Sequence, residues 1–133
     1  MSGAVVARAR RCLGTAFRGH GRRPGEALDC VGLAAFALAV PDPPGGYALR
    51  GGGAAGAAAA IGAAGLAPVR DGGLPGDLLL LATGPHQLHL AIASAAGFIH
   101  ADAGLGRVVE VPGPPPWPVI GRFRRATRRA GGG

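Results

Sequence analysis

Asp29-Cys30-Val31-Gly32-Leu33-Ala34-Ala35-Phe36-Ala37-Leu38-Ala39-Val40, closed by Pro41, is an unbroken apolar run led by an acid. Its length exceeds a typical strand, and Asp29 is a favoured residue for capping a helix N-terminus. The run therefore predicts a buried helix with Cys30 in its first turn. A thiol becomes a nucleophile only as thiolate, and the positive end of a helix dipole lowers its pKa. Cys30 is placed for activation, with a small core hydrophobe as the plain alternative.

Upstream, Val5, Val6, Ala9, Cys12 and Leu13 recur at helical spacing among Arg8, Arg10 and Arg11, with Ser2 as a cap and Gly14 as a stop. A glycine-rich loop, Arg18 to Gly25, joins the two helices. Downstream, Ala54 to Gly65 reads as a third, alanine-rich helix weakened by Gly56 and Gly62. Pro75-Gly76-Asp77 then turns the chain into five strand candidates: Leu78 to Ala82, Leu88 to Ala93, Gly97 to Ala101, Arg107 to Val111 and Val119 to Arg124. Helices first and strands second imply an α+β domain with an antiparallel sheet. The 133 residues suit one domain, 1–124, followed by a basic, glycine-ended tail, 125–133.

The strand candidates supply partners for the cysteine. In Leu88-His89-Leu90-Ala91-Ile92-Ala93, alternation sends Leu88, Leu90 and Ile92 to one face and His89, Ala91 and Ala93 to the other. The large residues serve a core, and the histidine is left among alanines. Gly97-Phe98-Ile99-His100 is the return strand of a hairpin. A turn centred between Ser94 and Ala95 sets His100 opposite His89, and any other even-length loop keeps both on one face. Cys30, His89 and His100 thus form a candidate nucleophile, base and orienter.

Leu13-Gly14-Thr15-Ala16-Phe17-Arg18, Leu28-Asp29-Cys30-Val31-Gly32-Leu33, Pro75-Gly76-Asp77-Leu78-Leu79, His89-Leu90-Ala91-Ile92 and Phe98-Ile99-His100-Ala101, in that order, resemble the NlpC family of cell-wall cysteine endopeptidases. The stretch from Arg107-Val108-Val109-Glu110-Val111 through Trp117-Pro118 to Phe123-Arg124 looks most like that family's phage-tail and gene-transfer-agent branch. The resemblance implies a papain-like fold, its catalytic cysteine at a helix N-terminus packed on a central antiparallel sheet, and no cofactor. It implies cleavage of peptidoglycan stem peptides, often between D-glutamate and diaminopimelate. Carried over, Cys30 attacks the carbonyl, His89 takes and returns the proton, and His100 orients His89. Asp29 resembles a substrate-recognition position, equally readable as a helix cap, and Phe17 and Val31 fall in the substrate-binding region. Phe17 stands where the family often has tyrosine and Val31 where it often has serine, so two hydroxyls are missing there.

Other readings compete. Cys12, His20 and His86 join the three candidates as conceivable zinc ligands, but no C-x-x-C pair exists. The expected assignments are packing on the first helix for Cys12 and solvent exposure for His20 and His86. The formal net charge of +7 comes wholly from arginine, a bias that fits GC-rich coding as well as an anionic partner. Arg122, Arg124, Arg125, Arg128 and Arg129 lack an aromatic stacking platform, which speaks against specific nucleic-acid binding. No stretch approaches the roughly 20 apolar residues of a membrane span. Arginines interrupt Met1 to Gly14 before an apolar signal segment forms, so synthesis in the cytoplasm and delivery to the wall by a phage-like tail or by lysis are expected. A non-catalytic tail or wall-binding module and a related thiol amidase or acyltransferase are the alternatives.

Overall fold

The computed structural model describes residues 2–41, 43 and 53–125. Three helices, α1 (Ser2–Arg11), α2 (Cys30–Leu38) and α3 (Gly53–Ala63), precede most of the strands. The strands are β1 (Arg22–Arg23), β2 (Ala27–Leu28), β3 (Leu66–Pro68), β4 (Leu78–Gly84), β5 (Gln87–Ala93), β6 (Gly97–Asp102), β7 (Arg107–Pro112) and β8 (Val119–Arg125). Six of them form one antiparallel sheet in the order β3-β8-β4-β5-β6-β7, and β1 pairs with β2 separately. The architecture is the α+β arrangement that the order of apolar patterns implies. Arg125 closes β8, and the remainder of the expected tail lies outside the described residues.

Both faces of the sheet are covered, which explains why Leu78 to Leu81 are all apolar. Leu78, Leu80, Leu90, Ile92 and Ile99 join the main core beneath the helices, with Leu33, Leu38 and Ile61. On the opposite face Leu79, Leu81, Ala91, Ala93 and Phe98 form a second cluster, against which Trp117 packs. Helix α2 is apolar all round because it lies between α1 and the sheet. It ends at Ala39, whose φ of 57° is left-handed, and Val40 N–H donates back to the Ala35 carbonyl at 2.8 Å. No helix among the described residues is long and apolar enough to cross a membrane.

The loop between α1 and α2 is fastened onto the first turn of α2. The Gly21 carbonyl accepts from Arg22 Nη1 at 2.9 Å and from Asp29 N–H at 3.3 Å. A Cβ on Gly32 would run into this same carbonyl, with Leu28 Cδ2 3.1 Å away on its other side. Gly32→Ala is therefore expected to lower stability by about 1–3 kcal/mol through overpacking, read as a lower urea midpoint at unchanged m value. An unaffected midpoint would mean that this loop yields freely.

Candidate active site

Asp29 sits in extended conformation (φ −104°, ψ −173°), and its Oδ1 accepts from Gly32 N–H at 2.8 Å. It caps α2, as its place before the apolar run implies. The same carboxylate accepts from His20 N–H at 2.8 Å and pairs with Arg22 Nη1 at 2.7 Å. It therefore also clamps the loop that forms one wall of the site.

Cys30 opens the helix, as expected, but its thiol is not lowered by that position. Burial dominates and pushes it up to about 11. The backbone N–H groups of Leu90, Cys30 and Val31 pull in the opposite direction, and the Asp29 charge adds to the rise. A nine-residue helix with an acid at its cap does not outweigh desolvation of the sulfur.

The other half of the site comes from a separation of two strands. The β5–β6 ladder holds only at Ile92↔Ile99 and Ala93↔Phe98. Beyond it, towards His89, the strands part. Ala93 N–H donates to the backbone carbonyl of Asp77, just before β4, so alternation directs the Leu90 N–H to the opened β6 side, where it favours negative charge on the Cys30 sulfur. The register is displaced by two residues from a turn centred between Ser94 and Ala95. Ser94 N–H donates to the Gly97 carbonyl and Ser94 Oγ accepts from Gly97 N–H, which closes a turn centred one residue later, between Ala95 and Ala96. A shift of two preserves the face, so His89 and His100 still meet.

His89 Nε2 lies 2.9 Å from His100 Nδ1, with the rings edge-on at 81°. Beyond it, His100 Nε2 is 3.7 Å from Asp102 Oδ2. Trp117 stands over both imidazoles, its centroid 6.1 Å from that of His89 and 5.8 Å from that of His100. Burial lowers His89 to about 4, and the neighbouring His100 adds to the fall while Asp102 opposes it. Burial likewise lowers His100, again against Asp102. At neutral pH both rings are neutral, and the resting cysteine is a thiol.

One cleft of about 330 Å³ is lined by Cys30, His89 and His100 together with Asp29, Phe17 and Val31. Every site residue singled out in the sequence therefore comes to one place. Cys12 is fully buried, its Sγ 3.5 Å from the Arg8 carbonyl, whereas His20 and His86 are exposed. Among the described residues no three or more His, Cys, Asp or Glu side chains are grouped to hold a metal ion. Of the arginines weighed as a nucleic-acid surface, Arg122 and Arg124 pair with Asp77 and Arg125 bonds the Leu38 carbonyl. Arg128 and Arg129 lie outside the described residues. Sequence reasoning missed Asp102 and the placement of Trp117. The first had a signal, a His-x-Asp pair sharing one strand face, but the second depends on how a proline-rich loop folds back.

No family model and no curated protein matches the chain. Solved structures are similar, two of them as follows. NlpC1 from Trichomonas vaginalis aligns over 93% of this chain at 20% identity with a TM-score of 0.60, and the chain spans 43% of that protein's length. The NlpC/p60 domain of the peptidoglycan hydrolase SagA aligns over 96% of this chain and 99% of its own, at 23% identity and a TM-score of 0.56. The fold of this chain is that of the papain-like NlpC/p60 domains.

Proposed function

We propose that this chain is a cysteine peptidase that hydrolyses stem-peptide bonds of peptidoglycan, of the D-glutamyl–diaminopimelate type. The observation that carries the reading is the meeting of Cys30, at the start of α2, with the hydrogen-bonded His89–His100 pair in one cleft. Cys30 Sγ attacks the scissile carbonyl carbon while its proton passes to His89. Nδ1 is the ring nitrogen left for this, since Nε2 faces His100. The tetrahedral intermediate collapses when His89 returns that proton to the leaving amine, giving a thioester. Water, deprotonated by the same imidazole, then releases the acid. Asp29, Phe17 and Val31 contact the peptide from the cleft wall. The likeness of the fold to a domain of a peptidoglycan hydrolase supports the substrate class. The motif pattern of the closing strands supports delivery by a phage-like tail.

Digestion of purified muropeptides, followed by mass spectrometry, tests the reading. Wild type is expected to cleave and Cys30→Ala to leave the substrate intact. Equal cleavage by both would remove the thiol mechanism, and no cleavage by wild type would favour a non-catalytic wall-binding module.

A further inference from the structure

The proton shared by two imidazoles can sit either way, and only one arrangement suits a base. If His100 Nδ1 carries it, the proton points at His89 Nε2, and a neutral His89 is then protonated at Nδ1 and cannot accept another there. If His89 Nε2 carries it, the Nδ1 lone pair of His89 is free. The pair alone gives no reason to prefer the second arrangement.

Asp102 supplies one. It follows His100 by two residues on β6, so alternation places both on the same face. Its Oδ1 is engaged by Leu105 N–H at 3.0 Å, and its carbonyl accepts from Gly106 N–H at 2.8 Å, which fixes the carboxylate at the head of the β6–β7 turn. Oδ2 remains, 3.7 Å from His100 Nε2. The His100 side chain is only 5% exposed, and among the described residues Asp102 is the acid within ion-pairing distance of that nitrogen. A carboxylate so placed favours Nε2–H on His100 and disfavours a lone pair there. His100 Nδ1 must then be the acceptor, and His89 Nε2 the donor.

We propose that Asp102 is a positioning residue that, through His100, holds His89 in the tautomer with an unprotonated Nδ1. This rests on the reading of Cys30 and His89 as nucleophile and base. When His89 takes the thiol proton, Asp102 also stabilises the resulting cation through the same two contacts. Among the described residues, other charged groups near the relay are few. Asp29 borders the cleft beside Cys30, and Arg107, the ladder partner of Asp102, turns its Nη1 to the Leu105 carbonyl at 3.4 Å. The aromatic rings of Phe98 and Trp117 cover the remainder.

Imidazole ¹⁵N NMR on the whole chain, with the two ring nitrogens of each histidine resolved, tests the tautomer directly. In wild type, protons are expected on Nε2 of His89 and Nε2 of His100. A proton on His89 Nδ1 would overturn the proposal without any variant. Asp102→Asn keeps an acceptor for Leu105 N–H but removes the charge. It is expected to mix the tautomers and lower kcat on muropeptides about 10- to 100-fold with little change in KM. Asp102→Ser, whose hydroxyl can also serve the turn, provides the same comparison should the asparagine variant fold poorly. Unchanged tautomers and kcat in the folded variants would sink the proposal while leaving the peptidase reading intact. A wild type with the expected tautomers but no hydrolysis would sink the peptidase reading alone.

Discussion

Alkylation of Cys30 by iodoacetamide is expected to accelerate about tenfold for each pH unit between about 7 and 10, with no plateau at neutral pH. The reason is the thiol's position at about 11, set by burial against the pull of three backbone N–H groups. Only the thiolate reacts, and below the pKa its fraction grows in proportion to hydroxide. Cys12 is fully buried and contributes a much slower background, separable by peptide mapping. Hydrolysis is expected to behave differently. The proposed mechanism needs neutral His89, whose pKa of about 4 leaves it neutral across the physiological range, so activity is expected to be flat there and to fall as pH drops through about 4. Stability falls in the same direction. His89 is lowered in the folded state from an ordinary 6.5, so between 6.5 and about 4 the unfolded chain binds a proton that the native chain does not. The loss, up to about 3 kcal/mol, sets in as pH falls below 6.5 and is complete once His89 protonates in the native state. Circular dichroism at each pH separates unfolding from loss of the base. An alkylation plateau between about pH 5 and 8 would instead mark a resting thiolate–imidazolium pair and refute the neutral resting state.

The contrast between a neutral resting pair and a helix-activated thiolate marks where sequence reading stops. The apolar run after Asp29 has one good solution, a buried helix, and the alternation in Leu88–Ala93 has one face for leucines and another for His89. Both are local facts with periods of 3.6 and 2, so they survive folding. Burial of the Cys30 sulfur is not local. It depends on how β5 and the loop clamped by Asp29 close around α2, and no spacing along the chain encodes that. The short strands β1, β2 and β3 escaped for a related reason, since two or three residues carry no periodicity. The His89–His100 meeting was legible as parity, but its register was not, because the bonds between Ser94 and Gly97 centre the turn one residue later, between Ala95 and Ala96. The chain's arginines mislead most as composition. In the sequence Arg122 and Arg124 belong to an arginine cluster weighed against a nucleic-acid partner, whereas in the fold they neutralise one buried acid.

Arg124→Ala is expected to cost more stability than Asp77→Ala, although the two residues form one pair. The Asp77 carboxylate is 1% exposed, and it pairs with Arg124 through Oδ1–Nε at 2.7 Å and Oδ2–Nη2 at 3.1 Å. Leu74 N–H donates to it at 2.8 Å, while Arg122 Nη1 stands farther off at 3.7 Å. Without Arg124 that buried charge keeps one backbone donor and one distant guanidinium. Stranding a buried ion costs about 3–5 kcal/mol. Without Asp77, by contrast, the guanidinium of Arg124, 34% exposed, still pairs with Asp71 at 3.2 Å and reaches water. What remains unpaired is mainly the Leu74 N–H, worth about 1–3 kcal/mol. The double variant Asp77→Ala/Arg124→Ala is therefore expected to be more stable than Arg124→Ala alone, since removing the acid also removes the stranded charge. Asp77 joins the start of β4 to the end of β5 through its own backbone, accepting from Ala93 N–H at 2.9 Å, so the strand that carries His89 is held at its far end from here. Thermal unfolding of the two single variants and the double decides the matter, with a Tm loss on the order of 10 °C expected for Arg124→Ala. Equal losses in both single variants, with no recovery in the double, would show that Asp77 is not stranded and that solvent or Arg122 compensates it.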